Sequence, residues 1–225
     1  MPSYDKHAIF SLIIAFPFIP DVFYLSLAVI GASIIDMDHH IKRNNLILMA
    51  IFGILLSLML YLLNLPFLFG ISLVCMAFIL SISNHRGFTH SIFGVLLLSF
   101  LLTFFVLGLN SLLNNFNMEK ISLIFISSIL GIIILNKRII IPFVIIVAIG
   151  IFLTNNINIS PFYTFFAVFL GGLSHIILDL FTPSGLRILN PLSLKKFYKF
   201  LGIILIILWI FGAILFNLKV FTSFY

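Results

Sequence analysis

Charge is what this chain has least of. Only 8% of its 225 residues are Asp, Glu, Lys or Arg, whereas a soluble domain uses roughly a quarter to cover its surface. With 63% hydrophobic residues and a mean hydropathy of +1.32, the exterior suits lipid and not water. Cysteine is nearly absent too. Cys75 stands alone in the run ISLVCMAFIL, which excludes an internal disulfide and gives thiol redox chemistry no support. The HExxH zincin motif, the G-x-S-x-G elbow and the P-loop are missing, which removes three familiar hydrolytic and nucleotide-binding designs. The net charge of +6 comes without a basic stripe interleaved with aromatics, so nucleic acid is not an expected partner. Asp5, Pro17, Pro20 and Asp21 interrupt the first apolar stretch, which does not read as a cleaved signal peptide.

What is present is apolar runs. Inside a bilayer every backbone amide needs an internal partner, so a chain crosses as helices or as a closed barrel. Barrel strands alternate apolar and polar residues, and these runs are apolar throughout. The fold expected is therefore all-α, a multi-pass transmembrane helix bundle. Candidate spans are 22–35, 46–63, 66–83, 91–109, 121–135, 139–153, 161–181 and 200–216. That gives about seven to eight membrane helices, although a full crossing takes about 20 residues and 22–35, 121–135 and 139–153 are short. A further segment, 8–16, precedes the breaker FPFIPD; a re-entrant hairpin with 22–35 and one broken helix are both open. No low-complexity linker or internal repeat divides the chain, so 1–225 reads as a single domain.

Loops placed on alternating sides separate the charges. The side holding 36–45, 84–90, 136–138 and 182–199, called side X, carries Lys42, Arg43, Arg86, Lys137, Arg138, Arg187, Lys195, Lys196 and Lys199. The far side carries Lys120 and Lys219, and Lys6 is unassigned. The positive-inside tendency makes side X cytoplasmic.

The same topology gathers the rare ionisable groups. Asp36 and Asp38 follow the 22–35 helix, His85 and His90 bracket HRGFTH, and His175 and Asp179 end the 161–181 helix, all near side X. His175 and Asp179 are four apart, so both project from one helix face. Such a pair can share a metal ion, or simply form a buried hydrogen bond; an ionisable pair in an apolar helix is costly enough to suggest function. Asp36 and Asp38 repel unless a cation or proton lies between them, and hard divalent ions favour such oxygens. An ordinary polar loop is the plainer alternative. His39 and His40 diverge as neighbours and read as loop residues. Two imidazoles from His85 and His90 complete a nitrogen and oxygen set suited to zinc or a similar transition metal. Thr89 or Ser91 can cap the next helix. Arg86 can neutralise a phosphate or serve as a plain positive-inside anchor. His7 joins only if the N-terminus lies on side X.

HRGFTHS followed by GGLSHIILDLFTPSGLRILNP resembles the YdjM-like family of predicted membrane-bound metal-dependent hydrolases. The family pattern falls on Asp36 and Asp38, on His85 through Ser91, and on Gly171, His175, Asp179, Thr182, Pro183, Gly185 and Pro191, in order across roughly residues 1–195. Ile35 stands where the family often has proline, a change that alters the turn more than the ligands. The family in turn is distantly similar to zinc-dependent phospholipase C and nuclease enzymes. The resemblance implies a hydrolase of the cytoplasmic (inner) membrane. Asp36, Asp38, His85, His90, His175 and Asp179 would hold one or more divalent ions, zinc foremost. Asp38 would be available as general base, Arg86 would pair with substrate charge, and Thr89 would supply a supporting hydrogen bond. A phosphoester or phospholipid-like substrate drawn from membrane lipid follows by analogy. The rival readings are a metal-binding transporter using the same ligands, and a structural protein whose histidines only bridge helices. The orientation is tested directly: a reporter fused after Phe200 is expected to read as cytoplasmic, and an extracytoplasmic signal overturns the assignment.

Overall fold

The coordinates are a computed structural model that describes residues 4–37, 42–83, 86–114, 119–154 and 159–222. Its helices are α1 (Tyr4–Ala15), α2 (Val22–Ile34), α3 (Arg43–Leu62), α4 (Leu68–Ile82), α5 (Ile92–Asn114), α6 (Glu119–Ile134), α7 (Lys137–Leu153), α8 (Pro161–Asp179) and α9 (Lys199–Thr222). Among the described residues there is no strand, only a single antiparallel bridge between Leu186 and Phe197. The all-helical expectation holds.

The helix count needs qualification. Four helices, α3, α5, α8 and α9, are long and apolar enough to cross a membrane by length and composition. The count of seven to eight membrane helices is not reached on that criterion. At about 1.5 Å per residue, the 12 residues of α1 and 13 of α2 span roughly 20 Å, short of the ~30 Å hydrocarbon core. Burial accounts for the difference. Phe23, Tyr24 and every residue from Ser26 to Ile34 are buried, so α2 meets protein and not lipid. Its length is set by its neighbours.

Breaker chemistry decides the open question about the N-terminal segments. Pro17 and Pro20 end α1, and Asp21 starts α2 by accepting a hydrogen bond from the Phe23 amide at 2.9 Å. The two helices pack side by side, which makes a hairpin. The N-terminus of α1 therefore lies beside the C-terminus of α2. Tyr4 Oη donates to the Ile134 carbonyl at 3.0 Å, and so brings the end of α6 to the same place. At the opposite end the Ser160 amide donates to Tyr24 Oη at 2.8 Å, and Lys120 donates to the Phe152 carbonyl. Lys6 thus joins the basic side X.

The tightest approach in the bundle is between α2 and α8. A Cβ added at Gly31 would strike the Val168 carbonyl, and one added at Gly171 would strike the Ala28 carbonyl. In lipid, helices associate by such close packing of small residues. The neighbouring Gly172 turns towards α5, where a Cβ would come within 2.5 Å of Val95. The glycine doublet wedges α8 between α2 and α5. Replacing Gly171 by Val is expected to cost on the order of 2–3 kcal/mol by overpacking. Gly212→Ala in α9, where the added carbon meets nothing within 4 Å, is expected to be neutral or slightly stabilising. Thermal unfolding of the two variants in one detergent checks the contrast, and equal melting temperatures would refute the α2–α8 contact.

Candidate metal centre

Each of the three helices held by these glycines delivers an ionisable group to the side X end. The turn after α2 presents Asp36, and the residue one before the Ser91 cap of α5 is His90. The last turns of α8 present His175 and Asp179. Ser91 fixes the start of α5 by accepting from the Gly94 amide at 3.0 Å while donating to the Phe88 carbonyl at 2.7 Å. The Ile92 amide donates to the Ile188 carbonyl at 3.0 Å, which ties this helix start to the segment after α8. His90 is thereby held from both sides.

The resulting geometry could hold a metal ion. Asp36 Oδ1 lies 3.4 Å from His90 Nε2 and 3.5 Å from His175 Nε2. Asp179 Oδ2 lies 3.9 Å from each of the same two nitrogens. Two carboxylate oxygens thus face two imidazole nitrogens in a closed ring of four atoms. Four ligands about 2.0–2.2 Å from one zinc stand roughly 3.3–3.6 Å apart, close to these values. A fifth group comes from α1: His7 Nε2 is 3.6 Å from Asp179 Oδ1, and its ring stacks on His175 with centroids 3.9 Å apart. Two overlapping triads, His7–Asp36–His175 and His90–His175–Asp179, keep their donor atoms within 4.8 Å of one another.

Away from His90, these contacts are not hydrogen bonds. Both Asp179 oxygens, Asp36 Oδ1, both His7 nitrogens and His175 Nε2 are buried without a hydrogen-bond partner. His175 and Asp179 are wholly buried, and His7 is 2% exposed. Leaving a buried polar group unpaired costs about 1–3 kcal/mol, and more for a charge. A bundle that assembles so many such groups, all aimed at one point, needs something there to satisfy them. A divalent cation could do so, and the mixed nitrogen and oxygen donors would suit zinc or a neighbouring transition metal. Burial pushes the Asp36 carboxyl up, but the imidazoles of His90, His175 and His7 outweigh it and hold Asp36 below the usual carboxylate range. It is kept in the ionised form that a ligand must have.

The surrounding groups have supporting positions. Thr89 Oγ1 is 3.2 Å from His90 Nδ1, where it can set the orientation of the ring that presents Nε2. Arg86 Nη2 is 3.8 Å from Asp179 Oδ2 and 19% exposed. Of the residues expected from the sequence, Asp36, His90, His175, Asp179, Arg86 and Thr89 converge here. Asp38 and His85, with His39 and His40, lie outside the described residues.

A family model described as YdjM inner membrane protein matches residues 1–224. This chain belongs to the YdjM inner membrane protein family. No curated protein and no solved structure matches it. Membership in the YdjM family agrees with the four long apolar helices, and its description carries no catalytic information.

His7 is the ligand candidate that sequence reasoning left undecided. The signal for it was helical spacing: His7, Ala8, Ser11, Ile14 and Ala15 are the buried positions of α1 and form one face. An inward His7 on an N-terminus at side X follows from that stripe and the hairpin together. Purified protein is expected to contain stoichiometric divalent metal by elemental analysis. His7→Ala should weaken its affinity at least tenfold, and His175→Ala or Asp179→Ala should abolish binding. Metal-free wild type whose melting temperature is unchanged by His175→Ala would favour the purely structural reading.

Proposed function

We propose that this protein is a membrane-bound metal-dependent hydrolase, acting on a phosphoester or phospholipid-like substrate at the cytoplasmic face. The observation that carries the reading is the ring of Asp36, His90, His175 and Asp179 with His7 beside it, buried yet without hydrogen bonds among its facing atoms other than those around His90 and Thr89. A divalent ion held there would make water nucleophilic near neutral pH and stabilise charge on a phosphoryl oxygen. The chain's own residues have separable tasks. His90 is oriented through Thr89. Arg86, 3.8 Å from Asp179, carries further donors that could take a substrate oxygen. Asp38 is the candidate base suggested by the Asp-x-Asp pattern.

A lipid-like substrate is favoured by what adjoins the centre. A cavity of about 710 Å³ runs between α3, α4, α5 and α6 and begins at Ile34 and Met37, the neighbours of Ile35 and Asp36. Its walls are apolar save for Asn45 near the start. Acyl chains fit such a lining, and lateral entry from the membrane would bring an ester to the buried carboxylates.

The rival reading, a metal transporter, requires a polar route to the far side. Several interior hydroxyls are bonded within their own helices: Ser33 donates to the Val29 carbonyl, Ser99 to Val95 and Thr103 to Ser99, while Ser26 and Ser127 face each other at 3.1 Å. Asp21 caps α2, and Lys120 caps the end of α7. That favours a site approached from one side. The test is a hydrolysis screen over phospholipids and soluble phosphoesters with metal-loaded protein in lipid nanodiscs. Turnover by wild type, lost by at least two orders of magnitude in a folded His90→Ala variant, is the expected result. Metal binding without turnover of any ester, together with metal flux into proteoliposomes, would replace the hydrolase with the transporter.

A further inference from the structure

The segment after α8 leaves the centre by a defined path. Thr182 Oγ1 donates to the Asp179 carbonyl at 2.7 Å, and the Gly185 amide donates to the Thr182 carbonyl. Gly185 turns with a φ of +64°, a conformation that glycine adopts without the Cβ clash. The chain then pairs with itself. The Leu186 amide donates to the Phe197 carbonyl at 2.9 Å, and the Phe197 amide returns the bond to Leu186 at 2.8 Å. Continued by one residue, the antiparallel register of this isolated bridge would set Arg187 opposite Lys196, and both line one cavity.

Two cations directly opposed across a ladder repel. Among the described residues, no carboxylate lines the cavity onto which they open. That cavity, of about 500 Å³, is lined by Arg86, Gly87, Phe88, Ser184, Arg187 and Lys196, among others. Its third cation, Arg86, also touches Asp179 of the candidate centre at 3.8 Å. Arg86 itself holds a left-handed backbone with φ of +58°. This is a conformation unusual for a residue bearing a Cβ, and such residues cluster at functional sites. Among the described residues, three positive side chains and a hydroxyl, with no carboxylate, line a space beside a group of metal-ligand type.

We propose that this cavity is an anion site that holds a phosphate group, with Arg187 and Lys196 as its positioning residues and Arg86 as the link to the metal centre. The inference deepens the hydrolase reading by naming the part of the substrate that the chain would grip, and so it rests on that reading for its catalytic meaning. The binding claim itself does not require turnover. A guanidinium offers a planar fork of donors and an ammonium a point charge, and together they match the oxygens of a phosphate. Plain positive-inside anchoring would need the charge of these residues but not their convergence on one cavity.

The test measures binding to the full-length protein. Inorganic phosphate is titrated into protein in neutral detergent. In parallel, phosphatidic acid is titrated in phosphatidylcholine nanodiscs, with melting temperature and calorimetry as readouts. Arg187→Gln with Lys196→Gln is the neutralised variant; both residues are exposed, and its unliganded melting temperature serves as the folding control. Arg187→Lys with Lys196→Arg preserves charge. Wild type is expected to bind, the neutralised variant at least tenfold more weakly, and the charge-preserving variant within about threefold of wild type. Saturation by inorganic phosphate identifies the phosphate group itself as the ligand, whereas a response confined to phosphatidic acid identifies a lipid headgroup. No binding to either probe, or equal binding by wild type and the neutralised variant, overturns the site. Turnover with undiminished affinity in the neutralised variant would leave the hydrolase standing and remove this cavity from it. Weakened phosphate binding without any ester hydrolysis would do the reverse.

Discussion

Two carboxylates and three imidazoles sit buried at one end of an apolar bundle, facing one another at 3.4–3.9 Å with few hydrogen bonds among them. Much of the architecture is arranged around the requirement of holding them there. Desolvating a carboxylate is among the costlier things a fold can do, and here it is done twice, at Asp36 and Asp179. The glycine contacts of α2 with α8 and of α8 with α5 set the spacing of those groups. They bring backbones within reach, so that side chains as short as aspartate meet in the middle. Larger residues at Gly31 or Gly171 would move whole helices apart, and a shared ion needs its ligands at about 2 Å.

This also accounts for the short helices. A helix that faces lipid on all sides must be long enough to cross, because its backbone ends would otherwise lie in hydrocarbon. α2 is wrapped by α1, α6, α7 and α8, so its ends lie inside protein and its 13 residues suffice. The hairpin of α1 and α2 puts both His7 and Asp36 at one end without a long connection. An extended α2 would carry Asp36 past the level at which His90 and His175 wait.

Much of this was legible in the chain itself, and the reasons differ by feature. Scarcity of charge made the membrane bundle evident, since so few polar residues cannot cover a water-facing surface. The convergence of Asp36, His90, His175 and Asp179 was legible because lipid makes ionisable residues expensive, so each one inside an apolar sequence carries information. His7 was harder. It precedes a proline-rich breaker, and its side of the membrane depends on whether that breaker makes a hairpin or a bend, which apolar runs do not encode. The number of crossings is less legible for a related reason: hydropathy reports that a segment avoids water, and a buried helix such as α2 satisfies that as well as a lipid-facing one. Arg187 and Lys196 looked like ordinary anchors because their opposition depends on the Leu186–Phe197 bridge, a single pairing with no alternating pattern to announce it.

The surroundings of the centre are asymmetric, and the asymmetry bears on its chemistry. From Asp36 the walls become apolar through Met37 into the cavity between α3, α4, α5 and α6; from Asp179 they become cationic through Arg86. A small soluble anion would need only the second environment, and a hydrocarbon only the first. On the proposed function, a molecule that used both would be an amphiphile whose charged and oily parts join near the carboxylates and imidazoles. A polar-to-apolar junction at a membrane surface is where the ester bonds of lipids lie. Asp36 and Asp179 both approach the Nε2 atom of His175, so the candidate centre lies where the two environments meet rather than at either end.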